Sequence, residues 1–288
     1  MPSFPSYDGL TIWYDRAGSG APLIALGGGP GADVRYLGDL GGLDRSRELI
    51  RMDARAAGRT DVPADHATAA FTEQARDVEA LRRHLGLERF DLLGHSAGSL
   101  TAQEYAVAYP GRVRRMVLVT PVGRVAREPD PAELAERRAS RVDEPWYAAA
   151  AEADRILSAG PAPAGREAEL AADQQGFFWH TWTDERRAEY LAEPRNGVAW
   201  LRAAFYAGAA TPATASDRLA RLAASPVPVL VVAGAYDGMI GVTPARLVAE
   251  LHQYAELVTL DRSGHRPWRE QPEEFRKVIA DFLDAPGE

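Results

Sequence analysis

A chain of 288 residues that is 46% apolar can bury one large core, and its net charge of −8 argues against nucleic acid or an anionic membrane surface as partner, both of which reward basic patches. With no cysteine there is no disulfide framework, no thiolate zinc site and no cysteine nucleophile. The first residues lack a basic stretch followed by an apolar one, and no apolar run approaches the roughly 18 residues that span a bilayer, so a soluble, cytoplasmic protein is expected.

In chain order, residues 10–14 read as a strand, and Gly18, Gly20 and Pro22 mark a turn into a second strand at 21–26, together an N-terminal hairpin. Gly27-Gly-Gly-Pro-Gly31 follows directly. Residues 48–52 form a short apolar strand, 53–60 a loop, and 72–85 place Ala75, Val78, Leu81 and Leu85 at the spacing of an amphipathic helix. A strand at 90–93 runs into Gly94-His-Ser-Ala-Gly98, a helix over 99–109 stops at Pro110-Gly111, and 113–120 reads as a buried strand of the parallel type.

From 122 to 224 the rhythm changes. Ala- and Glu-rich helical stretches alternate there with breakers such as Pro145, Pro161 and Pro163, and no strand pattern occurs. A strand at 226–232, a helix at 243–251, a strand at 257–260 and a helix at 272–283 close the chain. Strands alternating with helices imply an α/β fold, a mostly parallel sheet with helices on both faces. The core then comprises residues 1–121 and 225–288, with 122–224 inserted as a helical cap. Trp146, Trp179, Trp182 and Trp200, four of the six tryptophans, lie in that cap. Packing of a small cap on itself and lining of a substrate pocket both account for them.

Ser96 is the centre of the chemistry. G-x-S-x-G between a strand and a helix is the nucleophile elbow, a turn so tight that the serine is strained and its Oγ stands above the sheet edge. Gly94 and Gly98 stand where a Cβ would collide with neighbouring backbone. Serine needs a base to take its proton and a buried acid to orient that base. Asp237 follows the 226–232 strand and His265 follows the 257–260 strand, so the chain order is Ser96, Asp237, His265, the order this strand–turn–helix arrangement carries. Asp261 is the rival acid, and His95 is read as structural.

Gly27, Gly29 and Ala32 also fit a dinucleotide fingerprint, with Asp53 about twenty residues on. Against it, Pro30 removes a backbone donor, and the fingerprint makes no use of Ser96, Asp237 and His265. The competing assignment is an oxyanion loop in which the N–H groups of Gly29 and Ala97 face a developing alkoxide. His66, His84, His180 and His252 show no ligand spacing, so no metal and no cofactor is expected.

These segments resemble the α/β-hydrolase superfamily, and within it the prolyl iminopeptidase branch of serine peptidases, over nearly the whole core. Gly27-Gly-Gly-Pro-Gly31 resembles that branch's His-Gly-Gly-Pro-Gly, residues 52–60 resemble its Asp-Gln-Arg-Gly-x-Gly-Arg-Ser loop, and Gly264-His265 with Pro272-Glu273 resembles its histidine segment. The resemblance implies the same triad and oxyanion roles and an aminopeptidase acting on a short peptide or a small aminoacyl amide. Three features depart from it: Gly27 replaces the leading histidine, the elbow is Gly-His-Ser-Ala-Gly rather than Gly-Gly-Ser-Trp-Gly, and the cap glutamates that bind a free amine are not plainly present. Trp179, Trp182 and Asp184 lie in the segment resembling the one that bears such a glutamate, which makes them the candidate substrate-binding residues. An esterase or C–C bond hydrolase with the same triad, and a non-catalytic small-molecule receptor, are the other functions considered.

Overall fold

The computed structural model describes residues 2–125, 130–194, 198–207 and 212–286. Eight strands form one sheet: β1 (Ser3–Pro5), β2 (Thr11–Ala17), β3 (Ala21–Leu26), β4 (Arg47–Met52), β5 (Phe90–His95), β6 (Val113–Val119), β7 (Val229–Gly234) and β8 (Ala255–Leu260). Their order is β1-β2-β4-β3-β5-β6-β7-β8. The pairs from β4 through β3, β5, β6 and β7 to β8 are parallel, while β1 with β2 and β2 with β4 are antiparallel.

The hairpin expected of β2 and β3 does not form. β4 pairs with β2 and separates it from β3. The turn is responsible. Gly18 and Gly20 both have positive φ, and a Cβ on either would collide with the backbone at residues 44–47, so this turn passes directly over the start of β4 and carries β3 to its far side. The hairpin present is β1 with β2, from a three-residue strand with no periodic signal of its own.

Alternation along the central strands fills two cores. On β5, β6 and β7, Phe90, Leu92, Met116, Leu118, Val229 and Val231 face α1 (Phe71–His84) and α2 (Gly98–Ala108). Leu93, Val117, Val119, Leu230 and Val232 face the opposite way and pack with Phe275, Ile279 and Leu283 of the closing helix. With both faces covered, the strand interiors, such as 116–119 of β6 and 229–233 of β7, are apolar on both sides, which is why they read as runs. Between β6 and β7 lie α3 (Pro131–Ala139), α4 (Tyr147–Ala159), α5 (Glu167–Gln174), α6 (Asp184–Ala192), α7 (Leu201–Phe205) and α8 (Pro212–Ala223), with no strand among the described residues. Residues 126–129, 195–197 and 208–211 of that stretch lie outside the description. After β7 come α9 (Thr243–Leu251), α10 (Pro267–Glu270) and α11 (Pro272–Asp284). No described helix is long and apolar enough to cross a membrane.

Candidate active site

Ser96 occupies the one-residue step between β5 and the turn into α2, with φ of +52°. A non-glycine residue in that region costs about 1–3 kcal/mol and persists only where its surroundings enforce it. Here its N–H donates to Val119 O at 2.9 Å, and its carbonyl accepts from Ser99 Oγ at 2.6 Å. A Cβ on Gly94 would lie 2.7 Å from Gly98 O, and one on Gly98 would lie 2.5 Å from Gly27 O. The two glycines of the motif are therefore required by the packing of β5, α2 and the loop after β3.

Asp237 and His265 meet beside this turn. Nδ1–H of His265 donates to Asp237 Oδ2 at 2.7 Å, which leaves Nε2 with its lone pair. Asp237 is fully buried, and its other oxygen accepts the N–H groups of Met239 at 2.9 Å and Ile240 at 3.0 Å. Asp261, the rival acid, is 82% exposed and accepts instead from Gln271. His265 is anchored through its own main chain, donating N–H to Phe178 O at 2.6 Å and accepting from His95 Nε2 at 2.9 Å and Thr120 Oγ1 at 3.2 Å. Among the described residues no hydrogen bond joins Ser96 Oγ to His265.

The Gly27–Gly31 loop packs against Ser96. A Cβ on Gly28 would lie 2.7 Å from Ser96 Cβ, and Gly28 N–H donates to the Tyr36 hydroxyl at 2.8 Å. Gly29 has φ of +121°. Its N–H and that of Ala97 find no acceptor among the described residues, which fits a pair of donors reserved for an anion. Asp53 cannot serve a ribose. It is fully buried, with one oxygen accepting Val34 N–H at 2.8 Å and the other Arg59 N–H at 3.0 Å, and burial pushes its pKa up to about 6.

A cavity of about 690 Å³, counted to its open mouth, reaches Gly29 and Ser96 and is otherwise walled mainly by the helical stretch and the loop after β7. Val122, Leu134, Met239, Ile240 and Leu247 make it largely apolar, while Arg124, Asp130, Glu133 and Arg202 bring charge to it. Trp179, Trp182 and Asp184 do not line it. Trp179 is buried in an aromatic cluster, its ring 6.1 Å from that of Trp182, and Asp184 is exposed in the first turn of α6. α6 buries no residue, and Thr183 caps its first turn by accepting Arg186 N–H, so its acidic first turn stays in solvent outside the cavity wall.

The alpha/beta hydrolase fold family model matches residues 21–164, half of the chain. The chain belongs to the α/β-hydrolase fold family. A proline iminopeptidase of Heyndrickxia coagulans is 24% identical over 283 residues, covering 94% of this chain and 93% of that protein. A 2-hydroxy-6-oxo-6-phenylhexa-2,4-dienoate hydrolase of Comamonas testosteroni is 36% identical over 116 residues, covering 39% of this chain and 40% of the other. Among solved structures, a hydrolase from Pseudomonas aeruginosa PA01 superimposes with a TM-score of 0.69 at 27% identity, covering 99% of this chain and 98% of its own.

In this α/β hydrolase the helical stretch contributes one segment that sequence reasoning missed. Residues 177–181 lie between the Asp237 and His265 loops as a strap. Phe177 O accepts Gly238 N–H at 2.8 Å, and Phe178 O accepts His265 N–H. Glu270, on α10 with a side chain only 3% exposed, accepts the N–H groups of His180 at 3.1 Å, Thr181 at 3.0 Å and Gly264 at 2.7 Å, and pairs with Arg186 at 3.4 Å. One buried carboxylate thus ties the strap to the residue before His265. The only sequence sign of it is a glutamate five residues after a histidine, which distinguishes nothing.

Proposed function

We propose that this protein is a serine hydrolase that passes an acyl group to water through Ser96. The observation that carries the proposal is the buried Asp237–His265 pair at 2.7 Å, set beside a serine held at positive φ next to two N–H groups that have no acceptor among the described residues. Ser96 Oγ attacks the substrate carbonyl while His265 Nε2 takes its proton. Asp237 holds the ring in the tautomer that allows this and balances the imidazolium. The N–H groups of Gly29 and Ala97 bind the oxyanion. His265 then gives its proton to the leaving group, leaving a Ser96 ester. Water, deprotonated by the same nitrogen, attacks that ester and restores the serine. Residues 122–224 act as a cap whose helices close over the sheet edge and choose the substrate.

The substrate favoured by this reading is a small aminoacyl amide or short peptide with a free α-amine. An ammonium entering a partly dry cavity needs a negative partner, since burial without one costs several kcal/mol. Glu133, half-buried in the cavity wall, is that partner. Asp130, on the same wall, is exposed and caps α3, where it accepts Ala132 N–H at 2.9 Å. Support from likeness comes from the Heyndrickxia proline iminopeptidase, which matches nearly the full chain. Arg124 and Arg202 on the same wall oppose a cationic group and favour a second reading, hydrolysis of an ester with an uncharged or acidic acyl part. A panel of aminoacyl anilides, their N-acetylated forms and simple esters separates the two. Loss of turnover on acetylation supports the aminopeptidase; equal rates on free and acetylated anilides, or turnover confined to esters, rejects it.

A further inference from the structure

His95 has no part in the acyl-transfer steps, yet it is buried and both of its ring nitrogens are engaged. Its Nε2 faces the carbonyl oxygen of His265, and a carbonyl can only accept. Nε2 therefore carries the proton, and Nδ1 accepts from the Tyr36 hydroxyl. With that proton committed, the Tyr36 oxygen accepts Gly28 N–H at 2.8 Å. The chain of donors runs one way only, from Gly28 N–H to Tyr36, from Tyr36 to His95, and from His95 to His265. Each end is next to a reacting group. Gly28 precedes the oxyanion donor Gly29, His95 precedes Ser96, and the last acceptor is the main chain of the base itself.

We infer that His95 and Tyr36 are positioning residues that fix the spacing of the oxyanion loop, the nucleophile and the base through this three-link chain. The inference rests on the Ser96–His265 reading above. Packing supports it independently of the hydrogen bonds, because a Cβ on Gly28 would fall 2.7 Å from Ser96 Cβ and 3.2 Å from His95 Nδ1, so the three groups are already in contact. A neutral ring is what the position requires. The His95 and His265 rings are 4.8 Å apart, and Trp268 meets the His95 ring edge-on at 4.8 Å, so no acid faces it there. Burial and the neighbouring His265 hold the His95 pKa well below its ordinary value. Two adjacent histidines then have separate duties. One cycles its proton, and the other keeps its proton in place while the first becomes charged.

Asparagine and glutamine each reproduce half of the ring. The shorter carboxamide introduced by His95→Asn can still accept from Tyr36 but stops short of His265, whereas His95→Gln reaches the His265 carbonyl and gives up the link to Tyr36. Thr120 Oγ1 remains bonded to that carbonyl in both, so the loop keeps one donor. Tyr36→Phe keeps the ring volume and removes only the hydroxyl. The experiment measures kcat and KM on 4-nitrophenyl acetate, the rate of fluorophosphonate labelling, and the melting temperature, with Ser96→Ala as control. His95→Asn is expected to lower kcat about 10- to 100-fold, and Tyr36→Phe and His95→Gln about 5- to 10-fold, the range for losing one buried hydrogen bond. KM should move less than about twofold, since the chain touches no substrate. Labelled wild type with variants that melt earlier but retain kcat per labelled site overturns the positioning role and leaves the serine hydrolase standing. Wild type that resists labelling, or Ser96→Ala that retains turnover, overturns both. Should His95→Asn fail to fold, Tyr36→Phe decides by the same criterion.

Discussion

The elbow and the helical stretch between β6 and β7 are built on opposite principles. In α2, which follows Ser96, eight of eleven residues are buried, whereas α3 and α6 bury none. The reacting groups are held by buried main chain and by glycines that admit no Cβ. The helices between β6 and β7 are held partly by half-exposed pairs such as Arg187–Asp173 at 2.8 Å, and such pairs contribute only about 0–1 kcal/mol each. On the proposed reading, the groups assigned to chemistry sit in the densely buried half of the molecule and the cap in the sparsely buried half. The strap at residues 177–181 is the exception: it belongs to the helical stretch by sequence but is anchored like the core.

Removing a reacting group gives the largest effect. Ser96→Ala and His265→Ala should each lower kcat about 10³-fold or more with unchanged circular dichroism. Asp237→Asn should follow closely, while the exposed Asp261→Asn stays within about twofold of wild type. The reverse ranking of the two aspartates would move the acid and undo the geometry of the site.

Glu270→Gln tests whether the strap behaves as core or as surface. The amide keeps the shape but places an NH₂ where main-chain donors converge, so a loss of about 1–3 kcal/mol in urea denaturation and a measurable drop in kcat are expected. Glu152→Gln breaks an exposed pair on α4 and should leave both readouts unchanged. If the two variants behave alike, the strap is not part of the anchored half.

A smaller effect is expected at the cavity wall. Glu133→Gln should raise KM for a free-amine anilide about 5- to 10-fold with kcat little changed, the range for one charge-assisted hydrogen bond. Asp184→Asn should change neither, because its side chain faces solvent. A KM effect at Asp184 and none at Glu133 would return the amine site to α6.

The smallest effect is a slope with pH. Burial lowers the His252 pKa from 6.5 to about 4, and its Nε2 lies 3.3 Å from Gln103 Oε1 in the core. Between those values the unfolded chain binds the proton and the folded chain does not. Stability from this residue is complete above pH 6.5 and lost as pH falls toward 4, at no more than about 1.4 kcal/mol per pH unit. Melting curves of His252→Gln should show a shallower acid limb than wild type. An unchanged limb would assign the acid sensitivity elsewhere, with His95 the next buried histidine.

The strained turn at Ser96 and the apolar runs of β5 to β7 were legible in the sequence because each is dictated locally. A tight turn demands glycine within two residues, and the interior of a strand covered on both faces must be apolar on both sides. The choice of Asp237 over Asp261 was not local. Both follow a strand, and only the fold shows one buried against His265 and the other in water. The same holds for the hairpin that did not form, since the insertion of β4 between β2 and β3 depends on a chain segment that arrives later. Tyr36 reaches His95 across 59 residues and Glu270 reaches His180 across 90, and neither has a spacing or neighbour that marks it. Asp184 lies outside the cavity wall for a related reason, because the packing of α6 on distant segments, and not its own residues, decides what its first turn faces. Local backbone demands leave a mark in adjacent residues, whereas contacts between distant loops leave none, and only the folded chain decides which polar groups they bring together.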